Sequence, residues 1–246
     1  METLFISDLH LSPERPDKLE LFKEFMRGPA RRSHALYILG DLMEQFWVGN
    51  DDTTPPNPEI IDELSDFTAM GRSLYFIRGN RELMLDNNFE TLTGCTVLPD
   101  PTVIELDGES VLLMHGDRLC SRDKSYQLYR RFMESRPVKK LFSSLPYGLR
   151  IGLAHGLRPV MKKSSARKGP DIIDADQETI ASTMKTFGVR ELIHGHTHRP
   201  GIHEFELDGG KARRIVLGDW YDQDSVLVCE NGGRRLTPVR EYLDSK

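Results

Sequence analysis

Apolar and polar positions follow one repeated phrase along this chain. A short run rich in β-branched, aromatic or leucine residues closes on a polar residue, usually beside a glycine: "TLFISDLH" (3–10), "ALYILGD" (35–41), "SLYFIRGN" (73–80), "VLLMHGD" (111–117), "ELIHGHTH" (191–198) and "RIVLGDW" (214–220). Short apolar runs stopped in this way predict buried strands, because a helix needs a longer 3.6-residue pattern and glycine permits the sharp exit from a strand. Between the early runs, "PDKLELFKEFMRG" places Leu19, Phe22, Phe25 and Met26 on one helical face. Strands alternating with amphipathic helices predict an α/β domain, and 246 residues suffice for one domain, 1–246, with a substantial core.

The glycines add a measure of length. Gly40, Gly79 and Gly116 lie 39 and 37 residues apart, about one strand–loop–helix unit each, whereas Gly195 comes 79 residues later. One interval is doubled, so residues 118–170 read as an insertion. Residues 118–168 hold fourteen Lys or Arg against Asp123 and Glu134, a charge of +12 beside −17 for the rest of the chain. Within the insertion, Tyr126, Tyr129 and Met133 recur at helical spacing, as do Leu145, Leu149 and Leu153, and Pro137 and Pro146 stand where helices can begin. Two or three short basic amphipathic helices are expected. Interleaved bases and apolar side chains suit an anionic membrane surface, with a merely solvated face as the plainer alternative.

The overall charge of −5 gives no reason to expect a nucleic-acid partner. Cys95, Cys120 and Cys229 have no CxxC spacing, which fits buried thiols in a reducing cytosol. The first residues, "METLFISDLH", lack a basic leader and a spanning apolar run. The expected location is therefore cytoplasmic or peripheral on a membrane.

The candidate chemistry stands at the strand ends: Asp8 and His10, Asp41, Asn80, His115, then His196 and His198. All are nitrogen or oxygen donors. Residues beyond the carboxyl ends of strands in an open α/β sheet converge on one crevice, and extended residues two apart point to the same side. Seven donors exceed one cation's needs and predict two cations held close, with a two-oxygen carboxylate such as Asp41 suited to sit between them. The donor mixture lacks thiolate and fits manganese, magnesium, zinc or iron.

The ordered blocks "DLH" (8–10), "GD" (40–41), "GNRE" (79–82), "HGD" (115–117) and "GHTH" (195–198) resemble the signature of the calcineurin-like binuclear metallophosphoesterases. That resemblance implies a four-layer αββα sandwich with an inserted helical lid. It implies that Asp8, His10, Asp41 and His198 hold one metal and that Asp41, Asn80, His115 and His196 hold the other. A closer resemblance, to the lipid A branch of the family, runs nearly end to end. It implies a UDP-linked diacylated glucosamine as substrate. Water would attack the α-phosphorus to release UMP and diacylglucosamine 1-phosphate at two divalent ions, typically Mn2+, on the cytoplasmic face of the inner membrane. Asp41, Asn80, Arg81, His115 and His196 are the implied catalytic residues. Asn80, Arg81, His196 and, in the lid, Asp123, Ser165 and Lys168 are the implied substrate contacts. A planar guanidinium at Arg81 suits a two-bond clamp on a diphosphate.

Some positions depart from that pattern. A serine contact of the relatives falls on Met161, with Ser164 as its nearest substitute, and "GDLMEQFWVGNDD" is one residue longer than usual. Glu82 stands where aspartate is usual. These departures bear on sugar and acyl selectivity, since none removes a proposed ligand. Two other readings stay open: another binuclear phosphoesterase, acting on dinucleotide polyphosphates or nucleic acid, and a non-catalytic scaffold of the same fold.

Overall fold

The computed structural model describes residues 2–49, 51–85, 88–166, 172 and 174–245, the stretch 157–166 by its backbone course alone. The apolar runs form the expected strands: β1 (Thr3–Ile6), β2 (Ala35–Ile38), β3 (Ser73–Ile77), β6 (Glu109–Met114), β7 (Glu191–His194) and β9 (Gly210–Val216). Five further strands complete the set: β4 (Thr96–Leu98), β5 (Thr102–Leu106), β8 (Gly201–Leu207), β10 (Ser225–Glu230) and β11 (Gly233–Pro238). They assemble as a six-stranded sheet ordered β11-β10-β1-β2-β3-β4 and a five-stranded sheet ordered β5-β6-β7-β9-β8.

Alternation of side chains along each strand explains why two sheets stack between helices. Phe5, Leu39 and Ile77 from the first sheet meet Val111, Leu113, Ile193 and Ile215 from the second in one buried cluster. Leu4, Ile6, Leu36 and Ile38 point the other way, against Phe22 and Phe25 of α1 (Pro16–Arg27) and Ile60 and Leu64 of α2 (Asn57–Ala69). Leu112, Met114 and Leu192 likewise meet Ile180 and Met184 of a helix at Gln177–Phe187. The layers are thus helix, sheet, sheet, helix.

The carboxyl-terminal residues belong to this core. β10 pairs antiparallel with β1, Thr3 opposite Cys229, and Val239 and Tyr242 of the last helix, Val239–Asp244, are buried.

Register decides where the polar strand ends come to lie. β1, β2 and β3 are parallel, with Thr3 opposite Ala35 and Ala35 opposite Ser73. β6, β7 and β9 are parallel too, with Val111 opposite Glu191 and Glu191 opposite Arg213. Each sheet therefore brings its carboxyl ends out side by side.

Among the described residues, the basic segment after β6 carries the helices α4 (Lys124–Glu134), α5 (Arg136–Ser144) and α6 (Tyr147–Ala166). Leu145 lies outside them, at the end of α5, so it does not share a helical face with Leu149 and Leu153 as their spacing implied. The helix α3 (Asn88–Thr93) precedes β4, and α7 and α8 denote the helices at Gln177–Phe187 and Val239–Asp244.

The inserted helices are held at two points. Arg130 of α4, only 2% exposed, binds Asp100 Oδ2 at 2.6 Å and Glu134 Oε1 at 3.2 Å and pairs with Asp117. Arg150 of α6 donates to the Val48 carbonyl at 2.6 Å and pairs with Asp51, while the Tyr147 hydroxyl lies 3.0 Å from Thr54 Oγ1. Between these anchors α5 buries no residue.

Candidate metal centre

Asp8, His10, Asp41, His196 and His198 share an uncommon backbone state, with φ of 55°, 47°, 51°, 67° and 52°. Residues with a Cβ avoid the left-handed region, and such strain concentrates where the surrounding structure fixes a functional geometry. The turns after β1, β2 and β7 therefore aim their side chains at a cost in local conformation. Two glycines let these turns close on one another. A Cβ on Gly79 would collide with Asp41 Oδ1, and one on Gly195 would collide with Asp8 Oδ2 and Ser7 Oγ.

The side chains gather into two groups, Asp8 with His10 and His198, and Asp41 with His115 and His196, each with candidate ligand atoms within 4.8 Å of one another. Asp41 joins them: its Oδ2 is 3.8 Å from His10 Nε2 and its Oδ1 is 3.7 Å from His115 Nε2. His198 Nε2 stands 3.3 Å from Asp8 Oδ1. Asn80, half-buried, lines the adjoining cavity with Arg81.

One imidazole has a hydrogen bond on its outer nitrogen, and two more face carboxylates there. His115 Nδ1 donates to the Leu39 carbonyl at 2.8 Å, His10 Nδ1 faces Glu44 Oε2 at 3.1 Å, and His198 Nδ1 faces Asp219 Oδ2 at 3.4 Å. A partner on Nδ1 sets the tautomer and turns Nε2, with its lone pair, inward. His115 Nε2 and Asp8 Oδ1 are buried without a hydrogen-bond partner. Unpaired buried polar atoms are costly unless something binds them, and a mixed imidazole and carboxylate set suits hard or borderline divalent cations. The residues therefore fit a pair of divalent ions.

Charges in the site reflect this crowding. Burial opposes a proton on His115, but Asp41, Asp8 and Asp117 outweigh it and push the imidazole up to about 9. Burial works against ionised Asp8 as well, yet His198, His115 and His10 hold it below the usual carboxylate range. His196, buried and close to His115, is lowered to about 4.

Several contributors were not assigned a role from sequence. Glu82 accepts hydrogen bonds from the Asp41, Leu42, Met43 and Gly79 amides at 3.0, 3.0, 3.3 and 3.1 Å, so it ties the turn carrying Asp41 to the turn carrying Asn80. Burial, with Asp41 beside it, pushes its carboxyl up to about 7. Glu44 and Asp219 back His10 and His198, and Asp219 is itself held by the Tyr221 and Asp222 amides. The "GDW" after β9 carried the same strand-end signal as the other blocks and could have identified Asp219. Tyr126 of α4 stacks its ring on His196, with centroids 6.4 Å apart, and its hydroxyl donates to Asp117.

Arg81 lies beside the centre. Its amide donates to Asp41 Oδ1 at 3.0 Å, and its guanidinium is 3.4 Å from Glu44 and 5.4 Å from the Phe46 ring centroid. Asp123 caps α4, accepting from the Tyr126 amide at 3.1 Å and the Ser125 hydroxyl at 2.9 Å. The side chains of Ser165, Ser164 and Met161, and Lys168 altogether, lie outside the described residues.

The sequence is similar to those of known proteins. The family model described as calcineurin-like phosphoesterase matches residues 1–200. A protein of Aeromonas hydrophila subsp. hydrophila named UDP-2,3-diacylglucosamine hydrolase is 45% identical over 236 residues, covering 96% of this chain and 98% of its own. Proteins of the same name from Pseudomonas paraeruginosa and Vibrio vulnificus are 45% and 44% identical, covering 97% and 96% of this chain and 99% and 97% of their own.

Proposed function

We propose that this chain, which belongs to the calcineurin-like phosphoesterase family, hydrolyses the pyrophosphate bond of UDP-2,3-diacylglucosamine to UMP and diacylglucosamine 1-phosphate. The observation that carries the reading is the adjacency of two ligand groups, a guanidinium and an apolar wall. Asp41 stands between the two groups, Arg81 borders them, and Phe46, Trp47, Tyr129, Met133 and Phe142 line a cavity that Arg81 and Asn80 share. A diphosphate joined to an acylated sugar has this same sequence of chemistries.

Asp8, His10, Asp41 and His198 would hold one divalent ion, and Asp41, Asn80, His115 and His196 the other; Mn2+ agrees with their oxygen and nitrogen donors. Bound together, two such ions supply Lewis acidity toward water and offset the charge of a phosphate ester. The chain's own residues do the remaining work. Glu44, Asp219 and the Leu39 carbonyl keep His10, His198 and His115 in the tautomer that presents Nε2. Arg81 offers a bidentate clamp to the diphosphate, freeing itself from a 3.4 Å contact with Glu44. Displacement at phosphorus needs reacting groups in line, and the Glu82 carboxylate fixes the loops that set this line.

Residues 118–170 act as the lid in this reading, and Asp123, Ser165 and Lys168 are the sugar contacts proposed for it. Phe142 of α5 lines the apolar cavity beside Arg81, so α5 borders the way in for the acyl chains. Leu128, Phe132, Leu141, Leu149 and Leu153 are exposed on the lid among its bases, which supports peripheral binding to the cytoplasmic face of an anionic inner membrane. Among the described residues no helix is long and apolar enough to cross a membrane. The test is UMP release from the diacylated nucleotide sugar by protein loaded with Mn2+, loaded with Mg2+, or stripped of metal. Metal-dependent release supports the reading, and a metal-loaded protein that leaves the substrate intact refutes it.

A further inference from the structure

Three of the four candidate imidazole ligands are oriented from behind, His115 by the Leu39 carbonyl, His10 by Glu44 and His198 by Asp219. His196 is the exception. Its amide donates to Asp8 Oδ2 at 2.8 Å and its φ is 67°, but among the described residues no hydrogen-bond or ion-pair partner meets either nitrogen of its ring. The ring has two neighbouring rings instead. His115 meets it edge-on, with centroids 5.0 Å apart and planes at 66°, and Tyr126 lies along it at 6.4 Å and 24°. Tyr126 comes from α4, the first helix of the inserted segment, and its hydroxyl donates to Asp117, which also pairs with Arg130 of the same helix. Arg130 continues to Asp100 Oδ2 at 2.6 Å, and Asp100 Oδ1 accepts from the His115 amide at 3.3 Å. Both imidazoles of one ligand group thus lead to α4. Among the described residues, the ion pairs of Asp8, His10 and His198 run to one another and to Asp41, Glu44 and Asp219, none of which belongs to the insertion.

We infer that Tyr126 is a positioning residue for His196, so that α4 forms one wall of the metal centre and supports the ion that Asp41, His115 and His196 would share. The inference rests on the two-ion reading of the centre. A metal-binding imidazole gains affinity when its ring is already held in the bound orientation, and a partner on the outer nitrogen is the usual means. An aromatic ring lying along one face restricts the same rotation without a hydrogen bond. The hydroxyl contributes by deciding where the Tyr126 ring stands, because its bond to buried Asp117 keeps that ring from sliding along His196. The same contact ties the ion to the insertion. Displacing α4 would release the His196 ring and leave the partners of Asp8, His10 and His198 in place.

The test is Mn2+ titration of the whole chain after metal stripping, followed by equilibrium dialysis and electron paramagnetic resonance, with each variant shown to be folded by circular dichroism. Tyr126→Leu removes the ring plane, and Tyr126→Phe removes only the tether to Asp117. Gln127→Ala removes two other hydrogen bonds of α4, to the Asp117 and Cys120 carbonyls at 2.8 and 3.2 Å, while leaving the Tyr126 ring and hydroxyl in place. Tyr126→Leu is expected to weaken one of the two ions by about tenfold or more, with Tyr126→Phe between it and wild type and Gln127→Ala within about threefold of wild type. The resonance spectrum of the ion that Tyr126→Leu retains should match that of the ion retained by His196→Ala and differ from that retained by His198→Ala. Two ions binding to Tyr126→Leu as they do to wild type would overturn the role, as would a retained-ion spectrum that matches His198→Ala. Equal weakening by Gln127→Ala and Tyr126→Leu would overturn it too, since any loosening of α4 would then suffice. Wild-type protein that takes up fewer than two ions would overturn the two-ion centre itself, a failure visible before any variant is compared.

Discussion

Replacing Glu82 by glutamine separates its shape from its charge at the junction of two ligand-bearing turns. Oε2 of Glu82 accepts from Asp41 N and Gly79 N at 3.0 and 3.1 Å, and Oε1 from Leu42 N and Met43 N at 3.0 and 3.3 Å. A glutamine fills the same volume, but one end becomes an amide donor facing two backbone donors. Either orientation therefore leaves one pair of amides without an acceptor. A hydrogen bond to a charged acceptor contributes about 1.5–3 kcal/mol, and a buried donor left unpaired costs about 1–3 kcal/mol. Relief from burying a carboxylate whose pKa is pushed up to about 7 offsets part of the loss. The expected net cost is about 2–4 kcal/mol, or about 5–15 °C in Tm for a domain of this size. Glu82→Asp keeps the charge and withdraws it by one methylene, so it should fall between wild type and Glu82→Gln. The assay is thermal unfolding of chelator-treated protein with metal titration on the same samples, which should show weaker binding as the Asp41 and Asn80 turns loosen. A Glu82→Gln protein with the wild-type Tm and unchanged metal affinity would refute the tethering role.

Other perturbations test separate parts of the site. Asp41→Ala should abolish turnover and reduce bound metal below two ions per chain while far-UV circular dichroism stays native; wild-type activity would remove Asp41 from its position between the sites. Arg81→Ala should lower kcat/KM for the diphosphate by about 100-fold or more with metal stoichiometry unchanged, and unaltered kinetics would return Arg81 to its pairing with Glu44. Arg130→Met removes the cation shared by two buried carboxylates and leaves Asp117 to the Tyr126 hydroxyl and Asp100 to Arg118 at 3.5 Å, so denaturant unfolding should register a loss of about 3 kcal/mol. Because His115 is held protonated up to about 9 before metal arrives, loading at pH 7 must expel that proton. Because His10 and His198 are raised as well, apparent metal affinity should rise at least about tenfold per pH unit above pH 7 and level off above about pH 9; calorimetry in buffers of different ionisation enthalpy that detects no proton release would contradict this.

Much of the architecture was legible because the chemistry sits where one structural pattern ends and another begins. The runs that became β1, β2, β3, β6 and β7 end immediately before or a few residues before Asp8, Asp41, Asn80, His115 and His196, so strand prediction and ligand prediction were one inference. β5 and β8 were harder, since they are edge strands with only partial burial and their alternation, as in "GIHEFEL", is weak against turn-rich surroundings. β10 runs into an Asn231-Gly232 turn, but its place beside β1 depends on a partner more than two hundred residues away. The supporting residues were hidden for another reason. Glu82 and Glu44 act through contacts between loops and Asp117 through contacts with α4, and nothing in their local spacing separates a carboxylate that accepts four amides from one that faces water. In the lid, helical spacing located α4 and α6 but misassigned Leu145, because the break before Pro146 ends one helix and starts the next.

The decisive measurement compares kcat/KM for UMP release from UDP-2,3-diacylglucosamine and from its deacylated counterpart, using the same manganese-loaded protein. Burying as few as four methylenes against the lid is worth about 3 kcal/mol, so a preference of at least about 100-fold for the acylated substrate is expected. Equal values for the two substrates would show that the apolar wall beside Arg81 takes no part in recognition and would contradict a lipid-linked nucleotide as the substrate.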